Sequence, residues 1–499
     1  MLRQFAKNLS SNWAIYFVSA AISFLLTPYI IHVLGKAAYG IWLLVGSFSG
    51  YLGLFDFGIG YAVVRFVARY QKTGETDKRN AVVATAFYAA AVLAILVMAV
   101  TVYIMIYAAS FFDIPAGLVS QSRIVIFLIG LSIAIGFPLA IFSEALAGGL
   151  YRYDLFNTVA IAMAFLRGAL TLLFLELGYG LIGLGAAALI GSLLGYLWRM
   201  RMIYKLLPDL SIHPRLLNRS IFKEVGNYSL YSFVLLLSGR IAFYSDSFVV
   251  GFFRGVEDVA IFGIAAKLVE YLRQLVFTMS KLFSPVISRY DPDLDQASLR
   301  RLFYDGSRFN LLFSLPLSLL LFFWGGPFIR LWVGEGFASS IIILQVLLIG
   351  HLLSFMQGIG GELLLGVGRH RNFSILSMIA AVVNVILSIV LVKSVGLVGV
   401  AWGTTIPLGL LSVGYLPFAA VKIVGGGMRH FLIEAIVPAF VATILPGLLI
   451  AFSASHIKSV SSLIGYSLLV LVVYLPSAYF WGLKKAERER FWSGIKRTI

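Results

Sequence analysis

The feature that most limits what this chain can become is a train of apolar runs. About fourteen stretches, each roughly 20 residues or longer, are separated by short loops rich in Lys, Arg, Gly or Pro. About 20 residues at ~1.5 Å per residue cross the hydrocarbon core of a bilayer. With 60% hydrophobic and only 12% charged residues, a water-soluble fold would have too little polar surface to wet. In lipid, each backbone polar group must be satisfied within its own segment, which selects helices for runs of this length. The expected fold class is therefore an all-α polytopic membrane protein. Its spans are 11–34, 39–68, 81–109, 121–149, 154–176, 179–204, 225–252, 256–288, 299–325, 337–366, 371–394, 396–421, 429–452 and 457–483. Arg3 and Lys7 precede a first run that continues through Leu34. That run is too long for a signal peptide and carries no small-residue cleavage site, so it reads as an uncleaved first helix.

The basic residues orient the chain. With both ends cytoplasmic, alternate loops hold 26 Lys and Arg on the inside against 5 outside, the other 8 of 39 lying within spans. This bias accounts for the net charge of +17 without nucleic acid as a partner. There is no cysteine, which excludes disulfides, thiolate metal sites and thiol catalysis. Gly35-Lys36 is the only Gly-Lys pair and is followed by Ala37, so no phosphate-binding loop is present, and no His lies in an H-E-x-x-H pattern. No loop is large enough to form a catalytic domain. The reading is a non-enzyme without cofactors.

Three matches point to an internal repeat. GLIGLGAA at 180–187 resembles GLVGVAWG at 396–403; Glu144, Gly148 and Arg152 resemble Glu362, Gly366 and Arg369; and YGIW at 39–42 lies where IFGI at 261–264 lies. They imply two six-helix lobes of the same polarity, 1–204 and 225–424, joined by the basic linker 205–224 and followed by two further helices and a tail, 425–499. A parallel repeat of this kind puts a central cavity near the bilayer midplane.

Charges at membrane depth cost roughly 2.5–3.5 kcal/mol each and so mark a cavity or a partner. Span eight carries Lys267, Glu270, Arg273 and Lys281 along one stripe, where Glu270 can pair with Lys267 or Arg273. Arg240 and Asp246 lie in span seven, Asp56 and Arg65 in span two, Arg167 in span five, and Asp305 and Arg308 in span nine. Arg240, Lys267, Arg273 and Arg167 are the candidate substrate-binding cations, since guanidinium forks match phosphate oxygens. Tyr244 and Tyr271 are candidates to stack on sugars. Asp56, Asp246 and Glu270 set the cavity charge or couple transport to H+ or Na+. Arg65, Glu144 and Glu362 are candidates for gating between lobes. Arg65, Lys281 and Arg308, near the basic ends of their spans, are expected to snorkel.

The start of the chain carries a recognisable pattern. Pro28, Ile30, Leu34, Gly35, Tyr39 and Gly40 fit P-x-I-x-x-x-L-G-x-x-x-Y-G, and Asp56, Gly58, Ala62 and Arg65 fit D-x-G-x-x-x-A-x-x-R. Both resemble the polysaccharide transporter family of the MOP flippase superfamily, which contains bacterial O-antigen and exopolysaccharide flippases. The resemblance implies movement of an undecaprenyl-pyrophosphate-linked oligosaccharide from the cytoplasmic to the periplasmic leaflet of the inner membrane. It also implies alternating access through a cationic cavity, and a polysaccharide polymerase and a chain-length regulator as partners. Two alternatives share the architecture: a MATE-type ion-coupled drug antiporter, which calls for an acidic cavity, and a lipid II flippase.

Overall fold

The computed structural model describes residues 2–291 and 294–489. The described residues are helical or connecting and contain no strand. In chain order the helices are α1 Leu2–Leu52, α2 Ile59–Thr73, α3 Thr76–Phe111, α4 Val119–Glu144, α5 Tyr153–Glu176, α6 Gly180–Leu206, α7 Arg219–Arg254, α8 Val256–Lys281 and α9 Ser284–Ile287. Then follow α10 Gln296–Val333, α11 Ser340–Phe355, α12 Gly358–Gly366, α13 Arg371–Val395, α14 Leu397–Gly414, α15 Leu416–Ile423, α16 Met428–Phe431, α17 Val437–Ser453 and α18 Val460–Ser477.

Among the described residues, ten helical stretches are long and apolar enough to cross a membrane, or eleven if the pair α11 and α12, bent by 44°, is one broken span. The protein is thus a multi-pass helical membrane protein. The difference from fourteen has physical causes. The first stretch, Ser10–Asp56, is 47 residues long, about 70 Å at ~1.5 Å per residue, more than twice a hydrocarbon core. It holds two expected spans joined at Gly35, whose φ of 76° and ψ of 173° break the helix. Helix α8 falls outside the ten because its 26 residues carry Glu257, Asp258, Lys267, Glu270, Arg273 and Lys281. Helix α7 carries Arg240, Asp246 and Arg254. The basic tail from Arg490 onward lies outside the described residues.

Two glycines bear on the repeat. Gly255, between α7 and α8, has φ 86° and ψ 174°, nearly the conformation of Gly35. An L side chain rarely adopts it, so both turns depend on glycine. Gly40 meets a different demand. A Cβ there would lie 1.8 Å from the carbonyl oxygen of Val256, so α1 reaches the backbone of α8 only because the side chain is missing.

The chain divides into two compact units, the first ending at Ala260 and the second beginning at Ile261. The core of the first is built by Val63, Phe66 and Val67 of α2, Val83 of α3, Phe142 of α4 and Ile203 of α6, all nearly or fully buried. That of the second packs Phe303 on Phe431, with ring centroids 4.8 Å apart and 7° between planes, beside Ile359, Leu363 and Ala420. Trp324 donates its indole N–H to the Ile450 carbonyl at 2.8 Å, tying α10 to α17.

Candidate functional site

Asp56 is delivered by one 3-10 turn, Gly53–Asp56, between α1 and α2. Phe57 (φ 49°) and Gly58 (φ 80°) both take left-handed conformations there. The reversal turns the start of α2 back, and the Gly60 N–H donates to Asp56 Oδ2 at 3.5 Å. A bulky residue such as Phe57 at positive φ costs free energy, and such strain gathers where a side chain must be aimed. Across Gly60 stands Glu144. The position of a Cβ on Gly60 is 3.2 Å from Glu144 Cγ and 3.8 Å from Asp56 Oδ2. Two membrane-embedded carboxyl groups therefore flank one glycine.

Glu144 ends α4, just before the π turn Ala145–Gly149. Arg199 and Tyr196 of α6 and Tyr153 at the start of α5 lie within its electrostatic reach. Arg199 stacks its guanidinium 4.1 Å from the Phe156 ring centre, and its Nε is buried with no hydrogen-bond partner. Arg167 of α5 continues the row, interacting with Tyr196 and Arg199. Its stem occupies space left by Gly191, whose Cβ would fall 2.2 Å from Arg167 Cγ, and its Nε donates to the Met163 carbonyl at 3.3 Å. The first unit therefore holds a row of Asp56, Glu144, Arg199, Tyr196 and Arg167.

Beside this row in sequence but on α7, Arg240 donates to the Tyr244 hydroxyl at 3.0 Å. The Tyr244 ring fills the space over Gly50 of α1, where a Cβ would come within 2.3 Å. Asp246 is 7% exposed and interacts with Tyr51. Arg65 is exposed on α2, its guanidinium 5.8 Å from the Phe66 ring centre. Arg152 forks onto Asp154 at 2.9 Å and 3.1 Å.

In the second unit Arg273 holds Glu270 by two hydrogen bonds of 2.6 Å and 2.7 Å, and Gln274 adds a third at 2.6 Å. His351 of α11 lies within electrostatic reach of this pair and shares its Nδ1 with the Leu347 carbonyl at 3.0 Å. Lys267 and Tyr271 are half-buried on the same helix, and Glu362 is 7% exposed on α12.

Two readings from sequence are corrected. Arg308 does not snorkel: it is 0% exposed and is held by Glu487, by Asp305 at 3.2 Å and by the Glu434 carbonyl at 3.3 Å. Lys484 closes the network on Asp305 at 3.0 Å and Glu434 at 2.9 Å. Arg199, one of the 26 basic residues assigned to the inside, lies within α6 and in electrostatic reach of Glu144. Its i, i+3 spacing from Tyr196 within an apolar run was the legible signal.

A helical membrane bundle with internal arginines, carboxylates and tyrosines, and no loop domain, defines a transporter fold. The comparisons agree. A family model described as "Polysaccharide biosynthesis protein" matches residues 5–291, and a MatE model matches residues 233–390. The chain belongs to the polysaccharide biosynthesis protein family, a polysaccharide transporter family of the MOP superfamily. It is similar to "Uncharacterized membrane protein EpsK" of Bacillus subtilis (strain 168), 24% identical over 99% of both chains. It is also similar to "Putative O-antigen transporter" of Shigella flexneri, 21% identical over 77% of this chain and 90% of that one. Among solved structures it shares its fold with "Lipid II flippase MurJ, inward closed conformation", with a TM-score of 0.73, 17% identity and coverage of 94% of this chain and 97% of the other.

Proposed function

We propose that this protein moves a polyprenyl-pyrophosphate-linked oligosaccharide across the bacterial inner membrane, from the cytoplasmic to the periplasmic leaflet, for surface polysaccharide synthesis. The observation that carries this reading is the row of two arginines and a tyrosine against two carboxyl groups in the membrane helices of the first unit, in a chain of this family. A relative named a putative O-antigen transporter supports the cargo class. The protein is a transporter and performs no covalent chemistry. Both termini face the cytoplasm.

In this reading Arg167, Arg240, Lys267 and Arg273 serve the pyrophosphate, because a doubly charged oxyanion needs forked cationic donors in low dielectric. Tyr244 and Tyr271 stack on sugar. Asp56, Asp246 and Glu270 set the cavity charge or take up H+ or Na+. Arg65, Glu144 and Glu362 act in gating as the six-helix lobes 1–204 and 225–424 alternate. Partners are the membrane lipids, a polysaccharide polymerase and a chain-length regulator.

The test is a deletion strain complemented by the gene. Lipid-linked oligosaccharide accumulating on the cytoplasmic side, with surface glycan lost, is the expected result. The MatE match over 233–390 favours drug antiport as the second reading. Unchanged glycan with raised sensitivity to cationic drugs decides for it, and accumulation of peptidoglycan precursor decides for lipid II.

A further inference from the structure

A groove of about 330 Å³ opens between α3 and the segment that enters α7. Tyr88, Ala89 and Val92 line it from α3; Leu217, Asn218 and Phe222 line it from the other side. Its position along α3 is set by the helix rise. Val92 lies thirteen residues past Arg79, near the charged start of the helix, which is about 20 Å at ~1.5 Å per residue. Val92 is 66% exposed, Leu217 50% and Phe222 58%, so the walls are apolar and open. Thr85 also borders the groove. It is 2% exposed, and its hydroxyl has no hydrogen-bond partner among the described residues. A threonine inside a helix ordinarily bonds back to a carbonyl of the preceding turn.

The chain that supplies Leu217, Asn218 and Phe222 is basic in sequence, with Arg215 and Lys223 next to them. The carboxylate of this stretch, Asp209, accepts from Arg79 at 2.9 Å, and the Asn80 amide donates to the Asp209 carbonyl at 2.7 Å. The segment is thus pinned to α3 with its acid already matched to a cation.

We infer that this groove binds one anionic phospholipid from the leaflet on the basic side. Its phosphate lies against Arg215 and Lys223, and an acyl chain runs down α3 past Tyr88, Ala89 and Val92. The volume lies at the low end for a small-molecule site, enough for one hydrocarbon chain and not two. Basic residues just outside a membrane helix attract anionic headgroups. The Thr85 hydroxyl supplies a donor for an ester carbonyl, which a phospholipid has and an isoprenoid chain lacks. The site is separate from the row around Asp56, and the inference does not depend on what the protein transports.

The absence of native cysteine makes the test direct. A bimane label is attached at L96C, one turn below Val92, and as a control at L468C on α18. The protein is reconstituted in nanodiscs with brominated phosphatidylglycerol or brominated phosphatidylcholine at rising mole fraction. The expected result is half-quenching at L96C by the glycerol lipid at a mole fraction at least threefold lower than by the choline lipid. At L468C the two should be equal, and R215Q/K223Q should abolish the preference at L96C. Equal quenching by both lipids at L96C, or a preference unchanged in R215Q/K223Q, overturns the inference. Displacement by polyprenyl phosphate but not by unbrominated phosphatidylglycerol also overturns it, assigning the groove to the isoprenoid cargo.

Discussion

Two charge clusters, one in each unit, are satisfied in opposite ways. In the second unit the carboxylates of the α8 fork and of the network joining α10 to the C-terminal segment each have a direct cationic partner. Arg273 takes Glu270 through two bonds of 2.6 Å and 2.7 Å. Arg308 and Lys484 bind Asp305, Glu434 and Glu487 into one network that ties the C-terminal segment to α10. In the first unit Asp56 and Glu144 face the same glycine instead. A closed network has one low-energy arrangement. An open row has spare hydrogen-bonding capacity, and a change of charge or an arriving anion alters it cheaply. The network around Arg308 holds the C-terminal segment to α10, whereas the row around Asp56 has no such closed arrangement.

The hardest blow to that comparison falls on Arg308. R308A leaves three acidic groups around an emptied buried site, and removing one partner of a buried pair costs about 3–5 kcal/mol. The expected result is loss of monodisperse protein on mild heating in detergent. A variant as heat-resistant as the parent breaks the contrast at once.

E144Q tests the other side. It keeps shape and hydrogen-bonding capacity and removes only the charge, so it should leave thermal stability within experimental scatter. Surface glycan in a complemented deletion strain should fall at least tenfold. Full glycan in E144Q, with D56N equally active, removes the pair from transport.

A smaller effect is expected at the α8 fork. E270Q and R273Q should each destabilise, and the double variant should destabilise by less than the sum of the two, with a coupling of about 0.5–1 kcal/mol, since the pair is only partly shielded. Measured by thermal unfolding, a zero coupling means that the fork adds nothing to the fold.

The smallest effect concerns pH. Hydrogen bonding from Arg79 holds the Asp209 carboxyl below the ordinary aspartate range. A depressed folded pKa means that the contact stabilises fully above about pH 3.9 and is lost only as pH falls further. Hydrogen exchange at residues 207–213 should therefore be unchanged from pH 8 to 5 and should rise, after correction for intrinsic rates, below pH 4. In D209N that pH dependence should vanish.

Much of the fold was legible because lipid leaves a long apolar segment few choices. Composition alone dictated helices, their approximate ends, and the turn at Gly35 that separates two spans within one continuous stretch. The charged candidates could be found because an ionisable residue in an apolar run is conspicuous. Their partners could not. Asp56, Glu144 and Arg199 lie on three elements far apart in sequence, so no spacing rule joins them. Arg308 looked interfacial because its own helix end is basic, and only the folded C-terminal segment brings Glu487 to it. The sequence by itself therefore determined membrane helices, family and the list of charges. The tertiary structure decided which of those charges are neutralised and which are left open, because pairing depends on contacts between elements that hydrophobic periodicity does not encode.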